Sequence, residues 1–354
     1  MFAADSKVIS DQIGDSLKRQ PAYSWKQITD PVEPFLEAVT AQLAKEARSF
    51  DPHTIPYADY ALNGQGKHLR PALVALTANA LGQAGEAHVT VAVIIEMVHL
   101  ATLVHDDVMD EAELRRGQLT LAANWGNEIA VLFGDCLFAQ ALKLAASFPT
   151  SEICRAVAMA TNTVCAGEIL QMQHRRDFRF TRELYFKVLE MKTAELFALS
   201  CELSGYLSGT PSERRLSLRQ FGLAFGTAYQ VYDDCVDLFG SEAAAGKSLG
   251  TDLAKGKLTL PVLLLWERAG AAERMNLQEL VSGWQSGSVE RLTQLLAKYQ
   301  TLDACLKFVN HFLLKARQLL NGLPPSDGRA GLLALTEYLA RQADALGAGP
   351  ESSL

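Results

Sequence analysis

Apolar residues recur along this 354-residue chain at spacings of three and four, not in alternation. On a helix turning ~100° per residue such spacing gathers them onto one face. The first clear stripe is Phe35, Val39 and Leu43. It follows Asp30-Pro31-Val32-Glu33, read as an N-cap Asp, a Pro at the first helical position and a Glu completing a capping box. Further helices are predicted over 71–81, stopped by Gly82, and over 87–109. The run from Val89 to Val104 is interrupted by Glu96 and His99 and leads straight into aspartates. A membrane span needs ~20 largely apolar residues, so the run reads as a buried core helix. Periodicity resumes over 127–147, halts at Pro149, and returns over 151–174, 181–209 and 211–240. Shorter helices are predicted over 260–268, 276–284, 288–299, 302–321 and 329–345. No stretch alternates for long enough to require a strand, so the chain is predicted to be all-α, a bundle whose central helices are apolar nearly all round.

Composition adds little to that picture, with 49% hydrophobic and 21% charged residues. No linker, repeat or shift in composition divides the chain, which predicts one domain over 30–345, a flexible extension over 1–29 and a tail over 346–354. The formal charge of −7 excludes a nucleic-acid partner, which would need a basic face. An anionic substrate must then be met by local basic clusters. Cys136, Cys154, Cys165, Cys201, Cys235 and Cys305 form no Cys-x-x-Cys pair and read as reduced core residues of a cytoplasmic protein. The first residues, with Asp5, Asp11 and Asp15, lack the apolar core of a secretory leader.

Candidate chemistry begins where the long apolar run ends. His99, Asp106 and Asp110 fall near one line of the predicted helix, and Asp107 lies beside them. A helix C-terminus is unfavourable for negative charge, so this cluster calls for a cation. A second Asp-Asp-x-x-Asp lies at Asp233, Asp234 and Asp237, again after an apolar run. One such motif is a weak signal, because acids often cluster on solvated faces, but two at the ends of apolar helices outweigh that reading. Magnesium takes carboxylate and phosphate oxygens and keeps several waters, so the two clusters read as jaws holding magnesium ions and a diphosphate. Basic residues stand where an anion would need them: Lys67 and Arg70, Arg115 and Arg116, Lys192 beside Thr193, and Lys247 and Lys257. Lys255, in the same segment, reads as a solvated surface charge. Together they suggest two diphosphate sites, one reached through metal and one through Arg and Lys directly. His105 beside the aspartates reads as a hydrogen-bonding neighbour of the metal site, because magnesium prefers oxygen.

The motifs Gly-Lys-His-Leu-Arg-Pro (66–71), His-Asp-Asp-Val-Met-Asp with Leu-Arg-Arg-Gly (105–117), Met-Lys-Thr-Ala (191–194), Tyr-Gln-Val-Tyr-Asp-Asp-Cys-Val-Asp (229–237) and Lys-Ser-Leu-Gly-Thr-Asp with Gly-Lys-Leu-Thr-Leu-Pro (247–261) occur in this order. The chain thereby resembles the trans-type polyprenyl diphosphate synthases of isoprenoid biosynthesis. It departs from their pattern at Gln65 and at Gln118-Leu119, which concern loop conformation. The resemblance implies a bundle of the isoprenoid synthase type with a central substrate cavity, a homodimer, and a peripheral membrane contact for product release. It implies a prenyltransferase that ionises an allylic diphosphate, condenses it with isopentenyl diphosphate and eliminates a proton. The allylic diphosphate would be held by three magnesium ions on the aspartates, with Arg115, Lys192, Lys247 and Lys257 around it. Thr193 and Gln230 would face the carbocation, and Lys67, Arg70, His99 and Arg116 would hold isopentenyl diphosphate. The 241–256 segment would be a lid excluding water.

The growing product must run from the aspartates beside the helix that carries them. Ala101 and Thr102 are small, Val98 is medium-sized, and Ile94 and Ile95 are the first branched pair. At ~1.5 Å per residue that pair lies about 10 Å below Thr102. This predicts a product of roughly five to eight isoprene units, each taking ~4–5 Å, with Phe138 on a facing helix able to move the floor. The alternatives are a farnesyl or geranylgeranyl diphosphate synthase, a class I terpene cyclase, or the non-catalytic subunit of a heteromeric synthase. A cyclase normally builds its second metal motif on Asn, Ser or Thr and Glu, and a non-catalytic subunit would lack part of an aspartate motif.

Overall fold

The computed structural model describes residues 23–62, 66–115, 117–240, 249–285 and 287–348. Their helices are α1 (Trp25–Thr29), α2 (Glu33–Ala47), α3 (Ile55–Leu62), α4 (Leu69–Leu81), α5 (Glu86–Met109), α6 (Leu121–Trp125), α7 (Asn127–Ala146), α8 (Ser151–Gln173), α9 (Arg182–Leu189), α10 (Glu195–Leu207), α11 (Ser212–Phe239), α12 (Thr251–Ala254), α13 (Leu260–Arg268), α14 (Ala271–Ser282), α15 (Ser288–Lys298), α16 (Thr301–Leu319) and α17 (Asp327–Ala348). The fold is all-α, as the periodicity requires.

The central helices are α4, α5, α10 and α11. Helix α5 packs against α4, α7 and α10, while α11 packs against α10 and α16. Ile94, Ile95, Met97 and Val98 of α5 are fully buried with Leu196 and Leu199 of α10. Phe221 and Phe225 of α11 anchor a second cluster that reaches Leu263 of α13 and Val309 of α16. Close approach of α10 and α11 depends on Gly222 and Gly226. A Cβ at Gly222 would lie 2.5 Å from the Phe197 carbonyl oxygen, and one at Gly226 would lie 2.8 Å from Ala194 Cα. Helices α5, α7 and α8 are long and apolar enough to cross a membrane, but the most apolar stretch of α5 is largely buried inside the bundle.

Four local features depart from the sequence reading. The expected extension to residue 29 contains α1, whose capping box joins Ser24 and Gln27 and which buries Ile28. Asp30 is not an N-cap: it closes the C-terminus of α1 and opens the 3-10 turn Asp30–Val32, and α2 starts at Glu33 without a side-chain cap. Leu114–Arg115 and Gln118–Leu119 pair as a minimal antiparallel hairpin, too short for alternation to announce. The long helix predicted over 181–209 is interrupted by a π-helical turn, Glu190–Ala194. Cysteine burial also differs: Cys201, Cys235 and Cys305 are core residues, whereas Cys165 is exposed.

Candidate active site

The C-terminal end of α5 brings three aspartates to one place and gives each a different partner. Asp107 is buried and accepts both Nε and Nη2 of Arg115, at 2.7–3.0 Å, from the first hairpin strand. Asp110 receives Arg175 Nη2 at 2.7 Å and Lys257 Nζ at 2.6 Å, with Lys255 Nζ at 3.4 Å. Burial opposes ionisation of Asp110, but Lys257, Lys255 and Lys192 outweigh it and hold the carboxyl below its ordinary range. Asp106 faces Lys192 at 3.5 Å. Here burial dominates, so its carboxyl is raised despite that lysine. His105 donates from Nε2 to the Val131 carbonyl of α7 at 3.0 Å, with the Asp135 carboxylate 3.6 Å away. Gly134 leaves the space for its ring. His105 therefore ties α5 to α7, and the expected hydrogen bond to the metal-site aspartates is corrected.

The π-helical turn supplies the opposite wall. A π turn inserts one residue into the helical ladder, which bulges the backbone and re-aims its side chains. Lys192 projects from it between Asp106 and Glu168 of α8, with Gln171 Oε1 at 3.2 Å. Glu168 is buried. The acids on both sides raise the Lys192 ammonium against the opposing effect of burial, so it stays charged. Gly167 makes room for the bulge, since a Cβ there would lie 2.8 Å from the Lys192 amide nitrogen. Thr193 Oγ1 donates to Gln230 Oε1 at 3.1 Å, and Gln230 Nε2 donates to Asp234 Oδ1 at 2.8 Å. Tyr185 of α9 completes this chain by donating to Asp234 Oδ2 at 2.6 Å.

Asp234 is thus buried with both oxygens bonded, and desolvation raises its carboxyl well above the ordinary range. Asp237 is also buried and accepts Thr251 Oγ1 at 2.8 Å and the Asp252 amide at 3.2 Å. These bonds pin α12 to the end of α11. Asp233 is partly exposed on the same helix end.

A separate basic group lies at the start of α4. Lys67 is exposed, and His68, at φ 45°, directs the chain into the helix. His68 Nδ1 lies 3.5 Å from Glu96 of α5. Arg70 sits 4.6 Å above the Phe197 ring, and its Nε has no hydrogen-bond partner among the described residues. Burial lowers its pKa against the attraction of Glu96 and Tyr229. His99 lies one turn beyond Glu96 and is partly exposed, as are Thr102 and Asp106. This accessible line of α5 joins the basic group to the aspartates.

Sequence reasoning missed Glu168, Arg175, Tyr185 and Glu96, each a single polar residue whose partner lies far away in the chain. Lys255 is corrected from a solvated charge to a partner of Asp110. Of the expected chain-length residues, Ala101 is fully buried with Ala47, Ala58, Phe133 and Leu137, whereas Val98 belongs to the cluster of Ile94 and Leu196. Phe138 borders both clusters. Arg116, Lys247, Gln65 and residues 241–248 of the expected lid lie outside the described residues.

The donor set at the mouth suits a hard divalent cation, because it consists of carboxylate oxygens without a histidine or thiolate. Among the described residues no three such groups converge into a preformed cage. The six aspartates are not equivalent. Asp107, Asp234 and Asp237 are buried, whereas Asp106, Asp110 and Asp233 are partly exposed and form the set that fits an incoming cation.

The polyprenyl synthetase family model matches residues 53–299. The octaprenyl diphosphate synthase of Haemophilus influenzae is 30% identical over 325 residues, covering 92% of this chain and 98% of that protein. Component 2 of the heptaprenyl diphosphate synthase of Bacillus subtilis is 31% identical over 343 residues, covering 96% and 95%. The crystal structure of a polyprenyl synthase from Caulobacter crescentus, complexed with calcium and isoprenyl diphosphate, superposes with a TM-score of 0.86 at 29% identity, covering 91% of this chain and 98% of that one.

Proposed function

The chain belongs to the polyprenyl synthetase family, and on that premise we propose how its residues divide the work of condensing isopentenyl diphosphate with an allylic diphosphate. It is a trans-prenyltransferase of the medium- to long-chain class. The observation that carries the assignment is the convergence of Lys192 and Lys257, from distant parts of the chain, on Asp106 and Asp110. Asp106, Asp110 and Asp233 hold magnesium, which when bound neutralises the leaving diphosphate. The complex of the Caulobacter protein with a divalent cation and isoprenyl diphosphate supports that pairing. Arg115, fixed by Asp107, and Lys192, Lys247 and Lys257 bind the same diphosphate, so that the C–O bond breaks with its electron pair on the leaving group. Gln230, backed by Asp234, turns its carbonyl oxygen to the cation without offering a strong nucleophile. Lys67, Arg70, His99 and Arg116 hold isopentenyl diphosphate with its double bond toward that cation. The departing diphosphate takes the proton.

The exposed apolar side chains Leu132, Leu142, Met159 and Ile169 on α7 and α8 support a homodimer formed on that face. The name of the Bacillus relative makes a partnership with a different subunit the competing arrangement. The work is cytoplasmic, and the product leaves at a peripheral membrane contact. The test combines purified protein, magnesium, labelled isopentenyl diphosphate and allylic primers of increasing length. Chelator-sensitive products longer than four units are expected. Cyclic hydrocarbon, or no elongation by the chain alone, would overturn the assignment.

A further inference from the structure

The first acidic cluster carries more positive charge than it needs. Asp106, Asp107, Asp110 and Glu168 face Arg115, Arg175, Lys192, Lys255 and Lys257. Three of those five cations share the single carboxylate of Asp110. A carboxylate that turns to a divalent cation cannot keep all of them, so whichever is released needs another anion close by.

Arg175 is the one whose geometry looks beyond Asp110. Only its Nη2 reaches Oδ1, while its buried Nε has no hydrogen-bond partner among the described residues. A guanidinium fork with an unused edge suits two phosphate oxygens better than one carboxylate oxygen. Its position is fixed from behind. Arg176 takes φ 58°, a left-handed conformation uncommon for a residue with a side chain. Its amide donates to the Gly256 carbonyl at 2.8 Å, and its Nη2 lies 3.5 Å from the Ala254 carbonyl. Gly256 permits this contact, since a Cβ there would lie 2.7 Å from Arg176 Cγ. The turn after α8 and the segment bearing Lys255 and Lys257 are thereby joined.

We propose that Arg175 is a direct ligand of the allylic diphosphate, exchanging Asp110 for phosphate oxygens when substrate and its cations arrive. The inference rests on the prenyltransferase reading and adds to it a residue outside the sequence motifs that define the site. It is tested with full-length Arg175→Gln and Arg175→Lys, by calorimetric titration of inorganic pyrophosphate at saturating magnesium and by steady-state kinetics with each substrate varied. One lost charge-assisted contact corresponds to on the order of ten- to a hundredfold. That loss is expected in pyrophosphate affinity and in allylic KM for Arg175→Gln, with isopentenyl diphosphate KM unchanged and partial recovery in Arg175→Lys. If Arg175 merely neutralises Asp110, Arg175→Gln binds magnesium more tightly and pyrophosphate as before, which overturns the proposal. Equal losses for both substrates overturn it too. Arg175→Lys keeps a cation against Asp110, so the same titration decides the matter if the Gln variant fails to fold. A wild-type protein that binds no pyrophosphate and elongates no primer refutes the prenyltransferase reading instead.

Discussion

Adjacent aspartates in this site have opposite duties. Asp106 is held at a cost: burial raises its carboxyl more than Lys192 lowers it. A raised folded-state pKa means that Asp106 contributes stability at low pH and loses it as pH rises through that value. Asp106→Asn should therefore leave the metal-free protein as stable at neutral pH or more so, while abolishing magnesium-dependent turnover. Thermal melts in chelator beside the condensation assay check both halves, and near-normal turnover would remove Asp106 from the metal site. Asp110 has the reverse sign. Its lowered pKa gives stability that is complete above the ordinary carboxylate value of 3.8 and is lost as pH falls through the folded value. Asp107 holds Arg115, so Asp107→Asn should retain magnesium dependence, raise the allylic KM, and destabilise by about 1–2 kcal/mol in denaturant titration.

The π-helical turn is the element on which the two halves of the site depend. Lys192 and Thr193 reach Asp106 and Gln230 from consecutive positions of Glu190–Ala194. Gly167→Ala would press on the Lys192 backbone. It should cost about 1–3 kcal/mol through overpacking and lower kcat more than KM, because a misplaced Lys192 weakens ionisation more than binding. Unchanged kinetics and melting would mean that the bulge adjusts freely. The long helices were legible because apolar spacing and terminal Gly and Pro act locally, and both aspartate motifs were legible for the same reason. The π turn was not, since the apolar pattern has the same period on either side of it. Glu168 and Arg175 were equally hidden, because one charged residue on a helix reads as solvated until the fold brings α8 to the end of α5.

At the scale of the whole molecule, the fold determines where a growing product can go. The partly accessible line of α5 runs from Asp106 through Thr102 and His99 toward Glu96, with Val98 and Ile95 packed behind it against α10. A chain leaving the aspartates along this line passes Thr102 first. Ala101 points instead into a filled cluster with Ala47, Ala58 and Phe133, so bulk there meets packed side chains before it meets product. Thr102→Phe should therefore shorten the product to three or four units while keeping the first condensation. Val98→Phe, just over one turn deeper at ~1.5 Å per residue, should stop growth later than Thr102→Phe. Ala101→Phe should act chiefly on stability, by about 1–3 kcal/mol as overpacking does. Reversed-phase separation of dephosphorylated products, run beside thermal melts of the three variants, distinguishes these effects. If Ala101→Phe shortens the product at unchanged stability while Thr102→Phe leaves it as long as wild type, the product follows the α7 side of α5, where Phe138 would then be the floor.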